Sequence, residues 1–515
     1  MLASARKIPQ RRSLFWSALL AIGMVILSYV FTATLAVACA ALSLWLLVMY
    51  PNLQTVLLFL GGIAAAGIML WSLVPRRNKF VVPGVLLEPD VHPRMFRELG
   101  AIASSLQEPM PREVYLIGEP NAWVADRGGF MGIGSRRVMG IGLPLLGALS
   151  LAQLRAILAH EFAHYYGGDT RLGPWVYKAQ SSMVRTFKGL GSIEGTSLPA
   201  ALVFVFAIAT LVLSWYWRLF LRAINAVSRR QEYRADELAC IVGGKQAFLD
   251  GLTTTHKAVY AWPTYWRDDV NRMLNGGCLP SISAGFSRFL ASPQVAFQVQ
   301  TVLGLEIKNA KVKPYDSHPP LRDRIAAVEG LEVEPGSEDP EPALVLLNDP
   351  EGQELRLLLH LNSALTPNAL RRVSWEEYGS KVLIPSWQSW VTQYASLLKD
   401  VTPGNLRQAL DRVPQVASYI RDPQGMLLRP QQREERARFL LSAAFAIALL
   451  GHGWTLHASP GELYLSRGDE RCDPFATVRR LQDGSLPSLK WIAQCQEWGI
   501  TELRFVSSAE MGSGA

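Results

Sequence analysis

Residues 150–169 read S-L-A-Q-L-R-A-I-L-A-H-E-F-A-H-Y-Y-G-G-D and contain H-E-x-x-H at His160, Glu161 and His164. A spacing of i, i+4 puts both imidazoles on one helix face, one turn apart, where they can serve as two ligands of a single metal. The flanking residues predict that helix. Ser150 is an N-cap with Gln153 three residues on, Leu151, Leu154, Ile157, Leu158 and Phe162 form an apolar stripe, and Gly167-Gly168 ends the run. Glu161 stands next to the first ligand, placed to take a proton from a metal-activated water. So short a motif recurs by chance, and the remainder of the chain must decide its meaning.

The composition points to a membrane. Of 515 residues, 49% are hydrophobic and 18% charged, and the mean hydropathy is +0.14. The net charge of +8 is not gathered into one patch but flanks apolar segments, as in cytoplasmic membrane borders, so nucleic acid is not an expected partner. Five scattered cysteines without a C-x-x-C supply neither a disulfide framework nor a cysteine zinc site, which fits a reducing compartment.

The N-terminus is basic (Arg6, Lys7, Arg11, Arg12), and Leu14 to Tyr50 carries no charge. A bilayer core of about 30 Å needs ~20 residues, so this run reads as one long or tilted helix, or as two short spans. Pro51-Asn52 makes a turn, Val56 to Val74 forms the next span, and Arg76, Arg77 and Lys79 close it. Positive charge at both outer ends predicts a hairpin with cytoplasmic ends and a cytoplasmic H-E-x-x-H segment. Leu198 to Trp217 is a third charge-free stretch, but both of its flanks are basic. The expectation is therefore a re-entrant, peripheral or domain-buried helix.

Between these segments, residues 81–150 start a soluble domain with strands at Val114–Ile117 and Arg137–Ile141. The glycine-rich stretch Gly128–Gly142 is not a phosphate loop, since no G-K-[ST] follows; a sheet beside the H-E-x-x-H helix is expected. After the third apolar stretch comes S-R-R-Q-E-Y-R-A-D-E-L at 228–238, whose Glu232 and Asp236 share a helix face. A zinc site on H-E-x-x-H needs a third protein ligand and keeps its fourth position for water. A glutamate on a second helix can supply that ligand, and a carboxylate one turn on can accept the free N–H of a ligating imidazole.

Taken together, H-E-F-A-H followed some seventy residues later by S-R-R-Q-E-Y-R-A-D resembles the HtpX and CaaX prenyl protease (Ste-type) family of membrane zinc metallopeptidases. Asn121-Ala122-Trp123 and Ser317-His318-Pro319-Pro320 are similar to two further segments of that family, and the likeness covers about residues 85–330. It implies one Zn2+ held by His160, His164 and Glu232, with Glu161 as general base. It also implies Asp236 as the carboxylate that orients a ligand histidine and His318 near the oxyanion. Asn121 would belong to a strand that holds extended substrate. Family members carry a hydrophobic helix pair between the metal helix and the third ligand, where this chain has only one clear apolar segment.

The expected fold is a mainly α membrane protein with three parts. Residues 1–80 form an N-terminal transmembrane hairpin and 81–333 a zincin-like α+β metallopeptidase domain with a small sheet. After a linker at 334–343 (acidic and proline-containing), 344–515 form an extra α+β domain. There, Ser386–Leu398, Asn405–Ile420 and Trp491–Trp498 read as helices, and Phe439–Leu450 as a buried core helix. Gly461–Ser466 and Pro474–Arg480 read as a small sheet, and His452 and His457 as structural residues. The implied function is a membrane-anchored zinc endopeptidase of the bacterial inner membrane, its catalytic domain cytoplasmic, that acts on membrane or misfolded proteins. The alternatives are a selective processing protease of the prenyl-protease kind, or a silent scaffold that binds a partner through the C-terminal domain.

Overall fold

A computed structural model describes residues 15–74, 80–127, 134–165, 173–192, 199–333, 336, 338–366, 370–421 and 427–506. The basic flanks at 6–12 and 76–79 and the glycines at 167–168 lie outside the described residues. By packing, the chain divides into two compact units, Met1–Val259 with Gln300–Leu361, and Tyr260–Val299 with Asn362–Ala515. The sequence reading drew its boundary elsewhere, at the acidic stretch near 340.

The first unit begins with two apolar helices, α1 (Phe15–Met49) and α2 (Leu53–Leu73). The long apolar run is thus a single helix, not two short spans. Asn52 starts α2 as a capping box with Thr55, which fixes the tight turn after Pro51. The helices approach closely at Gly62, where a Cβ would lie 2.2 Å from Ser43 Oγ. Small residues permit this kind of contact between helices that have no hydrophobic drive to associate in lipid.

A four-stranded sheet follows, of order β1-β2-β4-β3, from β1 (Val85–Leu87), β2 (Glu113–Ile117), β3 (Ala122–Arg127) and β4 (Arg136–Gly142). The β2–β4 pair is parallel and the other two pairs are antiparallel, with β3 at an edge. Helix α3 (Pro93–Ser105) precedes β2, and α4 (Leu143–Ala148) leads into α5 (Leu151–Ala163), the H-E-x-x-H helix. Ser150 and Gln153 form the expected capping box. The acidic stretch is more than a linker. Backbone carbonyls of Glu341 and Asp339 accept from the first amides of α5, Leu151 and Ala152, at 2.7 and 3.2 Å. These are the amides that a helix start leaves unsatisfied.

Helix α6 (Gly173–Gly191) is amphipathic, and α7 (Ala200–Gly243) is one continuous rod of 44 residues. Here the structure narrows the expectation of a re-entrant, peripheral or domain-buried helix. Residues 200–217 are not buried in the domain, because Phe204, Ile208, Leu211 and Trp215 point outward, while Phe206, Ala209, Leu213 and Tyr216 pack on α1, α2 and α6. Three helices are therefore long and apolar enough to cross a membrane, α1, α2 and α7. At 1.5 Å per residue, only the charge-free first half of α7 fits a bilayer core of about 30 Å. Helix α6 supplies the partner that the sequence lacked. It packs on α2 through hydrogen bonds, with Ser182 Oγ and Arg185 Nη2 donating to the Ser72 carbonyl at 2.9 and 2.7 Å.

The C-terminal half of α7 crosses α5 where Gly243 meets Ala156. The chain passes from the first unit to the second within α8 (Lys245–Tyr265), and the second unit holds α9 (Asn271–Asn275) and α10 (Ile282–Ala291). Helices α11 (Pro293–Asn309), α12 (Leu321–Glu329) and α13 (Pro350–Leu361) bring the chain back into the first unit. In the second unit the helix Pro430–Gly451 forms the core through Leu440, Leu441, Phe445 and Leu449. The three-stranded sheet is Thr455–Ser459, Glu462–Arg467 and Glu470–Cys472. Pro474–Gln482 is a helix, not the expected strand, because Asp473 caps it by accepting from the Phe475 and Ala476 amides and Pro474 is suited to the first turn. His457 stacks on Tyr464 and bonds Ser466 Oγ at 2.8 Å.

The α5–α7 crossing yields a test. A Cβ on Gly243 would lie 2.6 Å from both Cα and Cβ of Ala156, whereas one on Gly100 in α3 meets nothing within 4 Å. Gly243→Val is expected to cost roughly 1–3 kcal/mol and to lower the melting temperature in detergent. Gly100→Ala should leave that temperature unchanged or slightly higher. Equal tolerance at both positions would contradict the close crossing.

Candidate metal centre

Two helices converge on one point. Helix α5 presents His160 and His164 one turn apart, and α7 lays Glu232 against them. The Nε2 atoms of the two histidines are 3.2 Å apart, and Glu232 oxygens lie 3.5 Å from His160 Nε2 and 3.6 Å from His164 Nε2. Ligands at 2.0–2.1 Å in a tetrahedron around zinc are separated by about 3.3 Å, so the triangle has the size of a metal site. Glu232 Oε2 is buried and accepts no hydrogen bond, as suits an oxygen reserved for a cation.

The surroundings fix these groups. Asp236, one turn after Glu232 on α7, places Oδ1 2.9 Å from His160 Nδ1. That contact leaves Nε2 of the same ring as the lone-pair donor. Arg324 on α12 grips Asp236 with both arms, at 2.9 and 2.6 Å, and reaches to 3.7 Å from Glu232. Sequence reasoning missed Arg324. It lies six residues beyond His318, across the two prolines, and that proximity was the available signal. Phe248 of α8 stacks on the His160 ring at 5.9 Å and closes the site from behind.

His318 arrives on the segment between α11 and α12, its Nδ1 2.9 Å from Glu232 Oε1 and its side chain largely exposed. Asn121 is placed differently. It is exposed just before β3, and its carbonyl accepts from the Gly142 amide at 2.8 Å, which ties the start of β3 to the end of β4. Its side chain makes none of the contacts that bind the metal cluster together. The β3 strand that it introduces lies beside α5, with one edge unpaired among the described residues.

The electrostatics favour a dication. Glu161, Glu232 and Asp236 set three carboxylates against the single guanidinium of Arg324, a balance of two negative charges when the histidines are neutral. Burial pulls the His160 pKa down, but its bonds to Asp236 and Glu232 outweigh this and hold it at about 9. A proton there relieves part of the negative charge. Burial, then the neighbouring His160, lower His164 to about 4. Burial also raises Glu161 to about 7, the range of a working general base. Against its own burial, Glu232 is kept well below the usual carboxylate range by the neighbouring imidazoles of His160 and His318. The bond to Glu232 raises His318.

Comparison with known proteins agrees with this geometry. The description "Peptidase family M48" matches residues 89–332, the segment that contains every residue of the centre. A protein named "Protease HtpX homolog" from Acidiphilium cryptum (strain JF-5) is 27% identical over 242 residues, which is 45% of this chain and 72% of that protein. No solved structure matches the chain. The matched segment, similar to peptidase family M48 and to an HtpX-like protease, holds the two histidines, the glutamate one turn before Asp236 and the apolar half of α7.

Proposed function

We propose that the protein is a zinc endopeptidase that cleaves membrane or misfolded proteins, in a quality-control role, at the cytoplasmic face of a bacterial inner membrane. The observation that carries the reading is the triangle of His160, His164 and Glu232 with Glu161 beside it. Zn2+, when bound by these three residues, supplies a Lewis acid that polarises a water and a scissile carbonyl. Glu161 takes the proton of the attacking water and passes it to the leaving nitrogen. The raised pKa suits both halves of that task, because the group gains and loses a proton near neutrality. His318 is held through Nδ1 by Glu232, a contact that raises its pKa, and the other ring nitrogen, when protonated, can donate to the developing oxyanion. Asp236 and Arg324 set the tautomer and tilt of His160.

Extended substrate would pair with the free edge of β3, the strand introduced by Asn121 and lying beside α5. The helices that adjoin the site favour substrates presented at a bilayer. Basic side chains at the ends of the apolar segments favour the cytoplasmic side for the catalytic domain.

Two measurements test the reading. With zinc in detergent, the wild type should cut an unfolded model protein, and Glu161→Gln should lose at least about a thousand-fold in rate while it still binds one zinc per chain. Equal cutting by both would remove Glu161 from the mechanism. The second concerns pH. With His160 near 9 in the metal-free site, zinc must displace a proton at neutral pH. Apparent zinc affinity should then rise about ten-fold per pH unit from 7 toward 9. Calorimetry in buffers of different ionisation enthalpy should register about one proton released. An affinity that is flat over that range would contradict the assignment.

A further inference from the structure

Helix α7 does more than present Glu232. Residues Arg222, Asn225, Arg229, Glu232 and Asp236 follow one another at spacings of three, four, three and four, and so form one stripe along the helix. The last two belong to the metal centre. The first three face the segment from Ala310 to Ser317 that delivers His318. Asn225 Nδ2 donates to the Tyr315 carbonyl at 2.5 Å, and Arg229 Nη1 donates to the Asp316 carbonyl at 2.8 Å. Arg222 lies over the Tyr315 ring, 5.5 Å from its centroid. Asn225 is 5% exposed, although most of the segment that it grips is exposed.

We infer that Asn225 and Arg229 are positioning residues for His318, which clamp the Tyr315–Asp316 backbone so that the imidazole is held over Glu232. The segment forms a single turn, closed by the Asp316 amide on the Lys313 carbonyl, but no helix or strand, so its carbonyls need partners, and side chains of α7 supply them at Tyr315 and Asp316. Only Ser317 separates the gripped Asp316 from His318, and Pro319 and Pro320 stiffen the far side. The clamp and the ligand Glu232 sit on the same rigid helix, so the distance from Glu232 to His318 is set by one element. A loop anchored only at its two ends would let the exposed histidine swing away, and the oxyanion would lose its donor in a fraction of encounters.

This inference rests on the proposed role of His318, and the test separates the two. Full-length protein in detergent with zinc is compared with Asn225→Leu, which keeps the volume without the donor, and with Arg229→Ala at the more exposed bond. Each should lower kcat about ten-fold, the size of one lost positioning hydrogen bond, with KM nearly unchanged. In a His318→Ala background the same substitutions should have no further effect. The second readout needs no peptidase activity. Trypsin should cut after Lys311 several-fold faster in both variants, while bound zinc is retained (Lys313 precedes a proline and is spared).

Wild-type kcat in both variants, or additive losses in the double variants, would overturn the clamp. So would unchanged protection of Lys311. Faster cutting at Lys311 together with a wild type that hydrolyses no substrate would keep the clamp and refute the proposed activity instead. If Asn225→Leu does not fold, Arg229→Ala carries the same comparison.

Discussion

The buried carboxylate of Asp236 is the constraint on which the site depends. It is 1% exposed and meets His160 Nδ1 on one side and both arms of Arg324 on the other. The three groups come from α5, α7 and α12, so one carboxylate joins three helices. Removal of one partner from a buried ion pair costs roughly 3–5 kcal/mol, because the other charge is left without compensation. The same contacts decide the chemistry. With its Nδ1 engaged, His160 has only Nε2 to offer, and Nε2 is the atom that faces His164 and Glu232.

Much of the site was legible because its residues are fixed by local geometry. Two histidines at i, i+4 must share a face, and a capping box at Ser150 sets the start of that helix. Glu232 and Asp236, again at i, i+4, must point the same way. Arg324 was not legible, since its role depends on where α12 packs, and an arginine in the sequence D-R-I-A looks like any solvated helix residue. At Pro474 the local signals for a helix, the Asp473 cap and a proline in the first turn, decide against the strand expected there. The clamp at Asn225 was invisible for a related reason. An asparagine inside a helix has little to recommend it until a separate loop arrives with a bare carbonyl.

The third apolar segment shows how composition and context can diverge. Basic flanks on both sides of 198–217 argued against a simple crossing, and burial inside the domain was one answer. The structure gives another. Residues 200–217 are the first half of a rod whose second half carries Glu232, and α6 accompanies it with Ser182, Arg185 and Thr186 bonded to Ser72 in the last turn of α2. A hydropathy window does not register such a helix. Its polar residues are satisfied against a neighbour, so it packs in the bundle without being apolar all round.

The continuity of α7 links membrane to chemistry. From Trp217 to Glu232 is fifteen residues, about 22 Å along a helix at 1.5 Å per residue, with no glycine or proline between them. A displacement of the apolar half is therefore carried to Glu232, to Asp236 and, through Asn225 and Arg229, to the segment that bears His318. His160, His164 and Glu161 stand on α5, which is tied to α7 at the Gly243–Ala156 crossing and capped by the carbonyls at 339 and 341. The ligand set is thus divided between a helix rooted in the bilayer and one rooted in the sheet. Zinc, which demands a ligand triangle of fixed size, is the bond that would hold those two frames in register.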